Sequence, residues 1–226
     1  MPDRNNKLTV SKWLKLGNKH FQSANFQKAI EAYREVIKLE PENGVAWSNM
    51  GVTYENLGNY DKEIECCKKA IEVDPRDSWA WYNLGVGYGK LGNYQKAIDS
   101  YTQATSLDPG DETSYYNMGL AYTKIGNFKK AIDSWEKAFE INPKKTKLLF
   151  NIALAYTKLA KDMKAVEIYD KIMTIDPNNI RALNKKGLAY INLENNQKAI
   201  ECFESILKLD PQNEEVKEIL KKLNKI

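Results

Sequence analysis

The residue types that most often do chemistry in proteins are scarce in this sequence and widely spaced. His20 is the single histidine, and the cysteines are Cys66, Cys67 and Cys202. One histidine without a Cys-x-x-Cys spacing does not make a typical zinc site, which needs four ligands. An odd number of cysteines leaves a thiol over, and free cysteines usually act as small buried hydrophobic side chains in a reducing compartment. The sequence therefore predicts no metal site and no cofactor.

A glycine-rich run at Gly85–Gly89 is the one segment with the composition of a phosphate-binding loop. Such a loop lies between a strand and the start of a helix, whereas this run falls inside a predicted helix. The acidic residues are scattered over predicted outer helical faces, where they should be solvated. We therefore predict that the protein is not an enzyme and that its function lies on a surface.

Composition points to an ordinary soluble chain. Of the 226 residues, 42% are hydrophobic and 28% are charged, which is typical of globular proteins. No apolar run approaches the roughly 18 to 20 residues that cross a bilayer, and the polar start lacks a secretory h-region. We expect a cytoplasmic location and no membrane insertion. The net charge of +4 is concentrated after Pro143, which hints at an acidic partner but is too small to indicate nucleic acid.

Six of the seven prolines recur at a fixed interval of 34 residues. They are Pro41, Pro75, Pro109, Pro143, Pro177 and Pro211. A fixed interval of this length is the signature of an internal repeat. With the proline placed at position 32, a tail at 1–9 precedes six units at 10–43, 44–77, 78–111, 112–145, 146–179 and 180–213.

Every unit carries the same pattern of small and large side chains. Position 8 is small and reads Gly17, Gly51, Gly85, Gly119, Ala153 and Gly187. Position 20 is alanine in five units, and rings recur at positions 4, 11 and 24. Positions 4, 7, 8 and 11 fall on one face of a helix, and positions 20, 24 and 27 on one face of a second. Each unit is therefore predicted to be a pair of closely packed helices.

Turn and cap residues separate these helices. Glycine stands between the two helices in the second, third and fourth units, at Gly58, Gly92 and Gly126, where a left-handed turn ends a helix. Asparagine or aspartate precedes each later first helix, with Lys145 as the exception; these predicted N-caps are Asn43, Asp77, Asp111, Asn179 and Asn213. A last helix at 214–226 should cover the C-terminal end with Val216, Ile219, Leu220 and Leu223.

Two residues depart from the pattern at positions that should be buried. Glu63 replaces the alanine of position 20 in the second unit, and Lys186 replaces an apolar residue at position 7 of the sixth. We expect the packing to be loosest at these two positions.

The pattern resembles the tetratricopeptide repeat family, whose signature is W-x2-L-G-x2-Y, then A-x3-F, then P. The resemblance covers residues 10–213. It implies an all-α, right-handed solenoid of six helical hairpins with a C-terminal capping helix, forming one superhelical domain over 10–226. It also implies that the first helices line a concave groove for another protein, with positions 2, 5, 6, 9, 12 and 13 facing that groove.

The expected groove residues fall into four sets. Position 6 gives a row of asparagines, Asn49, Asn83, Asn117 and Asn151; a side-chain amide both donates and accepts hydrogen bonds, so it can pair with a peptide backbone of any sequence. Position 13 gives Lys90, Lys124 and Lys158, which suit carboxylates. An apolar trough is expected from Trp79, Tyr82, Tyr116, Phe150, Leu120 and Leu154. Its basic end would comprise Lys147, Arg181 and Lys185. Inherited consensus is the competing interpretation of the asparagine and lysine rows.

These features predict a scaffold or adaptor that binds an extended or helical peptide of a partner, apolar with acidic residues. The two-carboxylate clamp of chaperone-tail-binding relatives is incomplete in both frames, because Leu14, Trp79 and Asn83 break one and Tyr116 and Leu120 break the other. The alternative function is a structural scaffold that self-associates through the uncovered face of the first unit or through the capping helix.

Overall fold

A computed structural model describes residues 9–223, which form thirteen α-helices and no strand. Most of the predicted tail and the last three residues of the predicted capping helix lie outside this range. The helices are α1 (Val10–Gln22), α2 (Phe26–Leu39), α3 (Gly44–Asn56), α4 (Tyr60–Val73), α5 (Ser78–Lys90), α6 (Tyr94–Leu107), α7 (Glu112–Lys124), α8 (Phe128–Ile141), α9 (Thr146–Lys158), α10 (Asp162–Ile175), α11 (Ile180–Asn192), α12 (Asn196–Leu209) and α13 (Glu214–Leu223).

The helices follow the predicted repeat, and the chain forms two compact units, 1–121 and 122–226, whose boundary falls within α7. Within the first unit, each of α1 to α5 packs against the helix that follows it, and α3 also contacts α1 and α5. Within the second unit, consecutive helices from α8 to α13 pack in the same way. This is the nearest-neighbour packing of an all-α repeat solenoid.

The tightest contact inside a hairpin joins the small residue of position 8 to the ring of position 24. A Cβ atom built on Gly85 would lie 2.6 Å from Cε1 of Tyr101, and the same atom on Gly17 would lie 2.5 Å from Cε1 of Tyr33. Both rings are almost completely buried. Because real Cβ contacts do not come this close, glycine is what lets the ring lie flat against the first helix.

The second hairpin has different side chains at positions 20 and 24. Cys67 takes the place of the ring, and Glu63, one turn earlier on α4, takes the place of the alanine. Glu63 is completely buried; the expectation of loose packing around it stays a prediction. In the sixth repeat, the Lys186 amine reaches Asp170 of α10 and forms a 2.6 Å ion pair.

The turn between the two helices is left-handed in all six hairpins. Glycines supply it at Gly58, Gly92 and Gly126, with φ of 71°, 78° and 77°. The first, fifth and sixth repeats make the same turn with Ala24, Ala160 and Glu194, at φ of 56°, 53° and 57°. The turn therefore persists where its preferred residue is missing, at some energetic cost to the folded state.

The predicted caps are confirmed. The side-chain oxygens of Asn43, Asp77, Asp111, Asn179 and Asn213 each accept a hydrogen bond from the backbone N–H three residues later. Lys145 makes no such bond. On α13, Val216 is buried, and Ile219, Leu220 and Leu223 pack on the core around Phe203 and Ile206, as expected of a capping helix.

The close contact between helices predicts a graded response to added bulk. Gly85→Ala drives a methyl group into Tyr101, whereas at Gly51 the nearest atom to that methyl is Sγ of Cys67, at 3.2 Å. Both changes gain similar helix propensity, so we expect Gly85→Ala to be less stable than Gly51→Ala by roughly 1–3 kcal/mol. Urea unfolding of the two variants measures this difference, and equal stabilities would contradict it.

The left-handed turns predict a reciprocal pair of substitutions. Nothing lies within 4 Å of a Cβ atom built on Gly92, so Gly92→Ala changes only the backbone preference. We expect it to destabilise the protein by about 0.5–1 kcal/mol, and Ala160→Gly to stabilise it by a similar amount. Thermal unfolding of both variants checks the opposite signs; two shifts of the same sign would refute the explanation.

Candidate functional site

The cysteine and histidine side chains are buried or half-buried. All three cysteines are free and buried. Burial raises the pKa of Cys66 to about 12 and raises that of Cys67 further, so neither thiol is a ready nucleophile. His20 is half-buried in the last turn of α1. Over residues 9–223, no group of His, Cys, Asp or Glu side chains could hold a metal ion, and no helix is long and apolar enough to cross a membrane.

A cavity of about 290 Å³ opens on the face of the first unit formed by α1, α3 and α5. We call it the α1–α3–α5 cavity. It is lined by both amides and apolar groups: Asn18, Phe21, Gln22, Tyr33, Asn49, Val52 and Trp79. Two of the predicted binding residues, Asn49 and Trp79, therefore line one opening.

A short hydrogen-bond chain fixes the amides of this cavity. The Tyr33 hydroxyl donates to Oδ1 of Asn18 at 2.8 Å, and Nδ2 of Asn49 donates to the same oxygen at 3.1 Å. Within the described residues, Oδ1 of Asn49 receives no hydrogen bond. The carbonyl end of the Asn49 amide is thus oriented and left available to a donor from outside.

Trp79 forms an aromatic shelf with Tyr82. Its side chain is 54% exposed and stacks on Tyr82 with ring centroids 5.2 Å apart and planes at 25°. Tyr82 in turn lies against the buried Tyr101 at 6.0 Å, and Nδ2 of Asn117 donates to its hydroxyl at 3.4 Å. Burial raises the pKa of Tyr82, so its hydroxyl stays protonated at neutral pH. The exposed ring therefore rests on a rigid base.

The asparagine row is not evenly accessible. Asn49 and Asn117 are half-buried, but Asn83 is only 2% exposed. Its Nδ2 is buried without a hydrogen-bond partner. In this conformation Asn83 is not accessible to a ligand from solvent, so the expected row of asparagines is interrupted in the first unit.

In the second unit, Phe150 is part of the core rather than an exposed trough residue. It is 7% exposed, packs edge-on against Tyr169 at 5.7 Å, and carries the Arg181 guanidinium 4.0 Å above its ring. Our expectation of an open ring at this position was wrong, because Arg181 covers it. Arg181 is exposed and held by this stacking; Nδ2 of Asn151 is buried without a hydrogen-bond partner.

The remaining predicted residues differ in exposure. Leu120 is exposed, and Tyr116 and Lys185 are half-buried. Leu154 is half-buried against the core around Phe150 and Tyr169. The other lysines are exposed: Lys90, Lys124, Lys147 and Lys158. Among residues 9–223, Lys90, Lys124 and Lys158 form no ion pair, so their charges are available to a ligand.

Sequence reasoning missed the part of the site on the first hairpin. Phe21, Gln22 and Tyr33 line the α1–α3–α5 cavity, but none was predicted to bind. Asn18 was not predicted to bind either. Its position carries an apolar residue in the five later repeats, and that departure was the available signal.

A second cavity, of about 650 Å³, was also not predicted and lies beside α4 and α6. Trp81, Leu84 and Tyr88 line it, and the amines of Lys68 and Lys96 lie 5.9 and 5.4 Å from the Tyr88 ring centre. Glu72 and Asp99 line the same cavity. Because its charged groups are of both signs, the cavity favours no particular charge on a ligand.

Comparison with known families matches this fold. Tetratricopeptide repeat models match residues 44–77, 78–111, 113–145, 146–179 and 180–213, and a TPR repeat model matches 17–58. These matches cover most of the sequence, so the chain belongs to the tetratricopeptide repeat family. No curated protein sequence matches it.

Several solved structures are similar to this one. The MamA protein is 30% identical, with a TM-score of 0.70 over 73% of this chain and 90% of that chain. YrrB is 21% identical, with a TM-score of 0.72 over 85% and 99%. Pseudomonas aeruginosa pilF is 20% identical, with a TM-score of 0.67 over 94% and 97%. At such identities the last two show the fold alone. The family and its neighbours support a protein-interaction scaffold.

Proposed function

We propose that the chain is a non-catalytic scaffold that binds a peptide segment of a partner protein on the α1–α3–α5 face of its first unit. One observation carries the proposal. An exposed tryptophan, Trp79, is held by Tyr82 beside two oriented amides, Asn18 and Asn49, at the edge of one cavity. An exposed large ring beside fixed polar groups is typical of a binding site.

Each group has a distinct part in binding. Trp79 supplies a rigid apolar plane for a side chain of the peptide, and aromatic anchors of this kind contribute much of the energy in protein interfaces. The Asn49 carbonyl accepts a hydrogen bond from a peptide N–H, worth about 0.5–1.5 kcal/mol. Because this bond is to the backbone, it tolerates many peptide sequences. The ring then selects for an apolar residue at one position.

Charge favours acidic residues in the ligand. Lys90 ends α5 on the first unit, and its amine is exposed and unpaired within the described residues. A carboxylate of the bound peptide suits this amine, and association would weaken with salt. The second unit carries cations of its own, since Arg181 is held over Phe150 and Lys185 follows one turn later. The three free cysteines fit a cytoplasmic location.

A structural neighbour supports this class of function. YrrB is described as a TPR protein with an unusual peptide-binding site. A surface that takes peptides is therefore compatible with this arrangement of helices.

Peptides selected against the whole chain test the proposal. Ligands are taken from a random 12-residue display library, synthesised, and measured by titration calorimetry against the wild type and single variants. We expect Trp79→Ala to weaken binding roughly 10- to 30-fold, because the peptide loses the aromatic ring that it would cover on binding. Asn49→Ala should weaken it roughly 3- to 10-fold. The exposed Gln27 and Leu39 on α2 provide matched controls as alanine variants and should leave affinity within about twofold.

Circular dichroism and light scattering accompany these titrations. Variants that keep the wild-type melting curve but bind every selected peptide unchanged would remove the α1–α3–α5 face from consideration. A mass above that of the monomer, unaffected by Trp79→Ala, would favour the self-associating scaffold instead.

A further inference from the structure

The second hairpin contains a buried carboxyl group that no other hairpin has. Position 20 is alanine in the other five repeats, and all five are completely buried; they are Ala29, Ala97, Ala131, Ala165 and Ala199. Here Glu63 fills the place and is equally buried. Cys67, one turn later, is small where the other repeats carry a ring. In this hairpin the large side chain therefore lies one turn earlier on the second helix, and it carries an ionisable carboxyl group.

The facing helix makes room for the carboxyl group. A Cβ atom on Gly87 of α5 would lie 2.9 Å from Cγ1 of Ile64, 3.1 Å from Cδ of Glu63 and 3.2 Å from Oε2 of Glu63. The other five repeats carry a side chain at the matching position, namely Lys19, Thr53, Ala121, Ala155 and Ala189. Glu63 and Gly87 thus fit each other across the α4–α5 contact.

The carboxyl group has no hydrogen-bond partner. Both oxygens of Glu63 are buried and unpaired within the described residues. Desolvation is the largest effect on its pKa, the nearby Glu55 of α3 adds to it, and Lys90 of α5 opposes it. Together they raise the pKa to about 8. A neutral carboxylic acid is tolerated here, but an ionised carboxylate is strongly disfavoured without water or a cation.

The other titratable groups around Glu63 do not stabilise its charged form. Cys66 and Cys67 lie on its own helix, Tyr82 on α5 and Tyr101 on α6; burial raises the pKa of each. All four remain neutral over the range in which Glu63 titrates. Among residues 9–223, Lys90 is the cation that acts on Glu63, and it lies exposed at the end of α5.

We propose that Glu63 is a pH-sensitive contact, which holds α5 against α4 while it is protonated and loosens α5 when it ionises. The consequence for ligand binding rests on the function proposed above, because α5 carries Trp79 and Tyr82. This helix is sensitive to loss of packing, since it contains Gly85, Gly87 and Gly89, and each interior glycine lowers helix stability relative to alanine.

The direction of the pH effect follows from linkage. The pKa of Glu63 is about 8 in the folded chain, against an ordinary value of 4.5. Between these values the folded state holds one more proton than the unfolded state. Its contribution to stability is therefore complete below pH 4.5 and is lost as the pH rises to about 8. Over that range the unfolding constant should increase up to tenfold per pH unit relative to a chain without this group.

Urea unfolding of the whole chain between pH 5 and 9 tests the proposal. Glu63→Gln keeps the shape of the side chain but does not titrate, so the difference in stability between wild type and variant should change with pH as described. Glu63→Ala with Gly87→Ala restores the pair of residues found in the fifth and sixth repeats, and should likewise remove this part of the pH dependence. Parallel pH profiles for wild type and both variants would overturn the proposal.

Carbon NMR of the wild type gives a second measurement that does not depend on how well the variants fold. The Glu63 carboxyl carbon should titrate near pH 8; a midpoint near 4.5 would overturn the proposal. Amide hydrogen exchange, corrected for its intrinsic pH dependence, should show α5 opening more above pH 8 in the wild type than in Glu63→Gln. Neither measurement uses a peptide, so failure here is distinct from failure of the Trp79 titrations.

Discussion

Everything in this fold depends on how closely two helices of one hairpin approach. In the first, third and sixth hairpins a glycine on the first helix faces a ring on the second, and a single added methyl at Gly85 would lie 2.6 Å from a carbon of Tyr101. Dispersion attraction falls steeply with separation, so this distance determines how much packing energy the two helices gain. A hairpin so packed still leaves apolar surface on its flanks, which only the next hairpin can cover. The stacking of successive hairpins thus depends on the close contact within each hairpin.

Much of the fold could be predicted because the repeat gives the same evidence six times. The prolines fixed the period, and the caps at Asn43 and Asp77 fixed the helix starts. The accommodation of Glu63 could not be predicted, because it depends on Gly87 in the following repeat and on Cys67 in its own. Neither residue is unusual by itself. That both are small next to the Glu63 side chain becomes visible only in the folded structure.

The candidate site was less predictable than the fold. Assigning residues to a face by position treats every repeat alike, yet Asn83 is buried where Asn49 is half-buried, and Phe150 lies beneath Arg181. Exposure on a face depends on the length and direction of neighbouring side chains, which periodicity does not contain. Trp79 was recognisable because it is a large ring that the core pattern does not require. Tyr33 was not, because its hydroxyl reaches the cavity from a position that belongs to the core.

The placement of the cysteines has a practical consequence. Cys66 and Cys67 lie on α4 of the first unit, and Cys202 lies on α12 of the second; all three are free and buried. A thiol reagent can reach them only when the surrounding helices separate. The cysteines can therefore serve as reporters without any engineered probe. The rates at which they are labelled would distinguish the opening of the first unit from that of the second.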